Sequence, residues 1–414
     1  MSISILTIGD ELIIGQVQDT NSSWIAKEIN NAGLEVKKII SISDSEKDII
    51  NTLNLCLKES NIIIMTGGLG PTHDDLTKKV LCKFFNDSLV KNEKILDHII
   101  QLFKKRNKVP NELNFHQAYL PKKCKIILNK IGTASGMWFE KNDSHVIALP
   151  GVPSEMKMMM ENYVIKNLKL LFKPINVINK TINTFGLPET NLVEILEEWM
   201  DNLDKKVKLA FLPSYNRVRL RLSISGNNNE SIKNIIDYHV KKLYKIIPQY
   251  IFGEDQTTIE ESISKILIKK KLTISLAESC TGGYLSHLFT KISGSSKFFK
   301  GSVIAYNNEI KTNFLNVDPI IIQKYGAVSK RVVNQMAVNS KKIFKTDYSI
   351  SVSGIAGPES DGTDKPVGLI WAAIATPESC LTYKYKFGKN RVSNIQRTAN
   401  SIFFELLLHL RNSK

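Results

Sequence analysis

The stretch LAESCTGGYL (276–285) sets Ser279, Cys280 and Thr281 side by side and follows them with Gly282 and Gly283. Two hydroxyls and a thiol where a strand yields to a helix suit nucleophilic chemistry, because backbone N–H groups converge there. Cys280 competes with Ser279, since a thiol at a helix N-terminus ionises readily. The plain alternative is a capping serine before a Gly-Gly turn. Further stretches of this third are equally dense in such residues. GSSKFFKGSVIAYNNEIK (294–311) ends in Tyr306, Asn308 and Lys311, and YGAVS covers 325–329. In SVSGIAGPESDGTDKPVG (351–368) a strand runs into Ser353-Gly354 and then Gly357-Pro358. That pattern suits a phosphate or a ribose, with Lys365 as the natural cation.

A second constellation lies at the N-terminal end. GDELIIGQVQDTN (9–21) carries acids directly after a strand, TGGLGPTHDDLT covers 66–77, and LPGVPSEM (149–156) opens a helix with Glu155 in its first turn. Gly67, Gly68 and Gly70 let backbone N–H groups approach phosphate oxygens, with Thr72 beside them. Carboxylates next to such a loop repel phosphate unless a hard cation intervenes. Asp74, Asp75 and Glu155 therefore read as ligands of Mg²⁺ or a similar divalent ion. His73 reads as a loop hydrogen-bonder, and acids in first turns can also simply cap helices.

These residues need rigid elements to hold them. SISILTIG is a strand, NSSWIAKEINNAG a helix opened by Asn21 or Ser22 and stopped by Gly33, and EVKKIISI the next strand. A helix and the apolar run NIIIMTGG follow, so the order β-α-β-α-β predicts a doubly wound α/β sheet with its sites at the strand carboxyl ends. The pattern changes near residue 168 to strand, helix, strand, strand, helix, a small α+β module. Within it Arg217, Arg219 and Arg221 alternate with Val218, Leu220 and Leu222, one basic strand face and one apolar. The arginines read as a solvated face, and FGEDQTT (252–258) as a linker. The remainder alternates again, α/β, to a last helix. Three domains result: 1–167, 168–253 and 254–414.

A chain of 414 residues exceeds one ordinary core, and its apolar fraction of 43% is normal for a folded soluble protein. No apolar stretch is long enough to span a bilayer, and the N-terminus lacks a basic leader, so no membrane or export role is expected. Five scattered cysteines without metal-finger spacing point to reduced thiols and a cytoplasmic setting. The net charge of +16 is spread along the chain, which favours an anionic small molecule over nucleic acid.

IGDELIIGQVQDTN, TGGLGPTHDDLT, IGTASG and LPGVPSEM together resemble the molybdopterin-binding-type domain of the competence/damage-inducible CinA family. TFGLPE, FLPS and VRLRL follow in the family's order, and AESCTGG resembles its C-terminal signature, so the resemblance covers essentially the whole chain. It implies a metal-dependent pyrophosphatase acting on ADP-ribose-like dinucleotides in front, with Asp75 flanked by Asp74 and Glu155. It implies a nicotinamide-nucleotide amidase behind, converting nicotinamide mononucleotide to the nicotinate form and ammonia, with a functional pair at Ser279 and Lys311. A homodimer is also implied. Ser135 stands where many relatives have proline. Glu359, Ser360 and Asp361 replace an uncharged glycine-rich run, and they oppose phosphate unless they face outward or meet Lys365. Arg391 matches an arginine of the family and is a second candidate cation.

Amide hydrolysis needs an activated nucleophile, an oxyanion hole and a proton for the leaving nitrogen. A Ser–Lys pair supplies the first and last only if the lysine is neutral, so burial must draw its pKa down from about 10. Backbone N–H groups of 281–283 are the expected oxyanion donors, and Tyr306 and Asn308 can stack on or bond a pyridine carboxamide. The competing reading is a protein that holds a pterin or nucleotide without turnover, or that partners DNA-uptake and recombination proteins. A molybdenum-cofactor adenylyltransferase would account for the front alone.

Overall fold

A computed structural model describes residues 2–72, 76–172, 174–214 and 217–413. Its contacts divide into two compact units, Met1–Ile178 with Ile224–Lys233, and Asn179–Ser223 with Asn234–Lys414.

In the first unit β1 (Ser2–Ile8), β2 (Glu35–Ile42) and β3 (Ile62–Thr66) precede a short ribbon of β4 (Leu89–Lys91) and β5 (Tyr119–Pro121). Next come β6 (Lys125–Ile127), β7 (Gly136–Lys141) and β8 (Ser144–Leu149), and the main sheet runs β2-β1-β3-β8-β7-β6. β2, β1, β3 and β8 are parallel, as crossover helices require. Successive strand residues divide between two cores: Ile5, Ile62, Ile64 and Ile147 meet Ile25, Ile29 and Met156 on one face. Leu6, Ile63, Met65 and Val146 meet Ile49, Leu53 and Ile99 on the other. Both faces are covered, so the apolar strands are continuous, not alternating. The helix Thr20–Asn31 is capped by Asp19, two or three residues before the Asn21 or Ser22 expected to open it, because the Asp19 side chain accepts from the Ser22 amide.

The middle module forms a sheet in the order β10-β11-β9-β12, from β9 (Asn176–Phe185), β10 (Lys208–Ser214), β11 (Arg217–Gly226) and β12 (Ile251–Glu254). β12 occupies the start of the expected linker. Ile251 and Phe252 are buried, and Lys180 bridges Glu254 and Asp255, which fastens the segment to β9. Arg219 and Arg221 are exposed as the alternation predicts. Arg217 is not: its guanidinium lies 5.4 Å over the Phe252 ring and donates to Asn400.

The C-terminal sheet runs β14-β13-β15-β16-β17, from β13 (Ile274–Glu278), β14 (Phe299–Ile304), β15 (Tyr348–Gly354), β16 (Leu369–Ala375) and β17 (Cys380–Lys386). β13, β14 and β15 are parallel and β16 and β17 antiparallel. Helices Ile259–Lys270 and Arg391–Asn412 cover one face, where Phe289 stacks on Phe403 at 4.6 Å. Helix Lys330–Phe344 covers the other, with Val333 and Ala337 on Ala373 and Ala375. No helix among the described residues is long and apolar enough to cross a membrane.

Candidate functional site

Ser279 follows β13 at the carboxyl ends of the parallel strands. Its amide donates to Val352 of β15 at 3.0 Å, and Ala305, the first residue after β14, donates to the Glu278 carbonyl at 2.7 Å. Three strand ends thus meet at the motif. Gly282 and Gly283 both take left-handed φ, 58° and 96°, which turns the chain sharply into helix Tyr284–Thr290.

Lys311, on helix Asn308–Asn313, folds back beneath this junction and is 1% exposed. Its Nζ donates to the carbonyls of Ala305 at 2.8 Å and Tyr306 at 3.3 Å. Burial lowers its pKa to about 8, with the Cys280 sulfur pulling weakly the other way. At pH 7 roughly one amine in ten is then neutral, against about one in a few thousand for free lysine. The Ser279 side chain is 7% exposed and makes no hydrogen bond to this amine. Cys280 packs on Ala356 and Ile370, and burial pushes its thiol up to about 12. It is a protonated thiol at neutral pH, unlike the ionised one that a bare helix N-terminus would favour.

Arg391 opens the last helix. Its Nη1 donates to the Gly357 carbonyl at 2.9 Å and its Nη2 to the Tyr306 hydroxyl at 2.6 Å, while the Tyr306 residue stays 59% exposed. Tyr306, Gly357 and Arg391 therefore converge at the strand ends, and Asn308 lies exposed on the helix that carries Lys311. A cavity of about 400 Å³ opens where Thr281, Gly282 and Gly283 face Val392 and Gln396.

Other expected ligand residues have structural duties. The buried Ser353 hydroxyl donates to Ala327 at 2.9 Å, and Lys365 donates to Tyr325 at 2.7 Å and Val328 at 2.8 Å, so both brace the YGAVS loop. A Cβ on Gly354 would fall 2.3 Å from Ile370, and one on Gly357 2.6 Å from the Lys389 carbonyl. Glu359, Ser360 and Asp361 face outward, and Asp361 accepts from the Thr363 amide and hydroxyl and so caps its own turn.

Glu278 is the residue that sequence reasoning missed. It is 0% exposed. One oxygen accepts from the Thr281 hydroxyl at 2.8 Å, the Gly283 amide at 3.0 Å and the Leu285 amide at 3.1 Å. The other accepts from the amide and hydroxyl of Ser286. The Gly283 amide, one of the expected oxyanion donors, is therefore already engaged, and the Gly282 amide donates to the Ser279 carbonyl at 3.1 Å. A carboxylate just ahead of a helix start was the available signal.

In the first unit the three N-terminal motifs also meet at strand ends. Gly67 has φ 115°, and a Cβ there would lie 2.1 Å from the Ile8 carbonyl; one on Gly68 would lie 2.2 Å from the Thr77 hydroxyl. Asn21 donates to Thr66 and Gly151, and Thr66 donates to Pro150. Gly70 and Thr72 follow on the same loop. His73, Asp74 and Asp75 lie outside the described residues. Glu155 accepts from Asn129 at 2.7 Å, and Asn129 in turn caps the amides of Ile131 and Gly132. Glu155 thereby holds the IGTASG loop. Among the described residues no group of three or more metal-ligating side chains forms.

Family models match the chain in three consecutive blocks: a probable molybdopterin binding domain at residues 4–170, a damage-inducible protein CinA KH domain at 179–253, and a CinA C-terminal domain at 256–410. The chain belongs to the CinA family. A CinA-like protein of Flavobacterium psychrophilum is 45% identical over 97% of this chain and 96% of its own length. One from Cytophaga hutchinsonii is 43% identical over 96% and 95%. A putative competence-damage inducible protein of Halothermothrix orenii is 37% identical over the full length of both. Among solved structures, a competence damage-inducible protein A of Klebsiella pneumoniae matches 38% of this chain and 97% of its own at 25% identity, with a TM-score of 0.37. The small middle module is accordingly a KH-type module between a molybdopterin-binding-type domain and the CinA C-terminal domain.

Proposed function

We propose that the C-terminal domain hydrolyses the carboxamide of nicotinamide mononucleotide, giving nicotinate mononucleotide and ammonia. The observation that carries this reading is the dry amine of Lys311, because a protein that only holds a nucleotide gains little from burying a lysine that meets two carbonyls and no carboxylate. Ser279 attacks the amide carbon and Lys311 takes its proton. The tetrahedral intermediate collapses as Lys311 returns that proton to the departing nitrogen, and ammonia leaves an ester on Ser279. Water, deprotonated in the same way, releases the nicotinate carboxylate and restores the serine. The reading requires the Lys311 lone pair to reach the Ser279 oxygen once substrate is bound. The protonated, buried state of Cys280 supports Ser279 as nucleophile. Arg391 beside an exposed Tyr306 ring is suited to an anionic nucleotide, cation and aromatic face together.

The front domain is proposed to cleave ADP-ribose-like pyrophosphates. The Gly67–Gly68 turn at the strand ends supports a phosphate there. A divalent ion would sit with Asp74, Asp75 and Glu155 and would supply charge neutralisation. Ammonia release from nicotinamide mononucleotide by the wild type and by Ser279→Ala tests the principal reading. A loss of at least about a thousand-fold is expected, and equal rates would end the nucleophile assignment.

A further inference from the structure

Glu278 does more than close a helix end. Its five donors are two hydroxyls and three amides, with no cation among them. A buried carboxylate satisfied entirely by neutral donors fixes all of them at once, since releasing any one leaves charge unsolvated in a dry site. The consequence falls on the turn between it and the helix. Gly283, Leu285 and Ser286 spend their amides on Glu278, and Gly282 spends its own on the Ser279 carbonyl. The Thr281 amide is left with no acceptor among the described residues, and the Cys280 amide faces only its own sulfur, with no oxygen to bond. They sit directly after the serine, on the stretch that Glu278 pins at Thr281.

We propose that Glu278 is the positioning residue of the C-terminal site, and that the oxyanion is received by the amides of Cys280 and Thr281, not by the paired glycines. This rests on the amidase reading of the same site. Oxyanion donors act by being aimed before the reaction begins, so what holds them rigid governs kcat and leaves ground-state affinity nearly untouched. It also means that the positive end of helix Tyr284–Thr290 is already answered from inside the fold. A substrate phosphate must therefore find its cation elsewhere, and Arg391 is the one at hand.

The test compares wild type, Glu278→Gln, Glu278→Asp and Glu278→Ala, each checked for cooperative melting, by ammonia release from nicotinamide mononucleotide. On either side a glutamine NH₂ meets at least one amide N–H that can only donate, so kcat should fall at least about a hundred-fold with KM within threefold. Aspartate keeps the charge and should recover part of that loss. A kcat within threefold of wild type in Glu278→Gln overturns the assignment. If that variant fails to fold, the same result in Glu278→Ala does so. Should wild type release no ammonia, the amidase reading fails by itself. Labelling by diisopropyl fluorophosphate, in which the Ser279 oxygen displaces fluoride, then decides Glu278: slower labelling in Glu278→Gln upholds it, and equal rates, zero included, refute it.

Discussion

The two strand-end sites of this chain are built alike and equipped differently. Each lies at the carboxyl ends of parallel strands, and each begins with two glycines at positive φ, Gly67 and Gly68 in front and Gly282 and Gly283 behind. In front the described polar groups mostly bond one another: Asn21 through its Nδ2 with Thr66 and Gly151, and Glu155 with Asn129, while the buried Asn21 Oδ1 has no partner among the described residues. Behind, the fold holds an amine at a protonation balance that water would not allow, its protons given to the Ala305 and Tyr306 carbonyls and none to the Ser279 hydroxyl. Paired glycines therefore mark where a ligand can approach. On the proposed reading, the reactive group is marked by what burial does to its proton.

Replacing that amine should break the comparison most sharply. Lys311→Met should lower kcat on nicotinamide mononucleotide by about a thousand-fold, and Lys311→Arg as much, because a guanidinium does not release its proton. The wild-type rate should climb with pH and level off near 8, the value to which burial lowers Lys311, since the neutral amine is the working form. A flat profile from pH 6 to 9 would contradict the role. A smaller effect should separate the two sites. Asp75→Asn should reduce metal-dependent hydrolysis of ADP-ribose by about a hundred-fold or more, as expected for a direct ligand, and leave ammonia release intact. Undiminished pyrophosphate cleavage would remove the front metal site. The mildest change concerns substrate capture. Arg391→Ala should raise KM about tenfold, the worth of one charge-assisted contact, with kcat little altered. A changed kcat at constant KM would place Arg391 in the chemistry itself.

The doubly wound order was legible because buried parallel strands such as Ile62–Thr66 are short apolar runs ending in glycine, a purely local signal. The tight turns were legible for the same reason. What escaped depends on partners far along the chain. Lys365 and Ser353 look like ligand residues until carbonyls 40, 37 and 26 positions away claim them. β12 reads as a linker because Gly253 and Glu254, with Asp255 after them, are loop formers, and only pairing with β9, reinforced by Lys180, 75 residues before Asp255, makes a strand edge there. Arg217 belongs with Arg219 and Arg221 by alternation and is separated from them by Asn400, 183 residues on. Glu278 was hidden differently. In a run of Ile, Ser, Leu and Ala it reads as the solvent end of a strand, yet its donors lie within eight residues of it.

The burial of Lys311 also bears on the endurance of the molecule. An unfolded chain lets this side chain take its proton near 10.5, and the native fold delays that until about 8. Between those values the denatured ensemble binds the extra proton, so folding strengthens as alkalinity rises and weakens on the way down. Below pH 8 the native state carries the whole handicap, about 3 kcal/mol. Near neutrality the protein thus forgoes a sizeable part of its resistance to denaturation at a side chain on which its proposed chemistry depends.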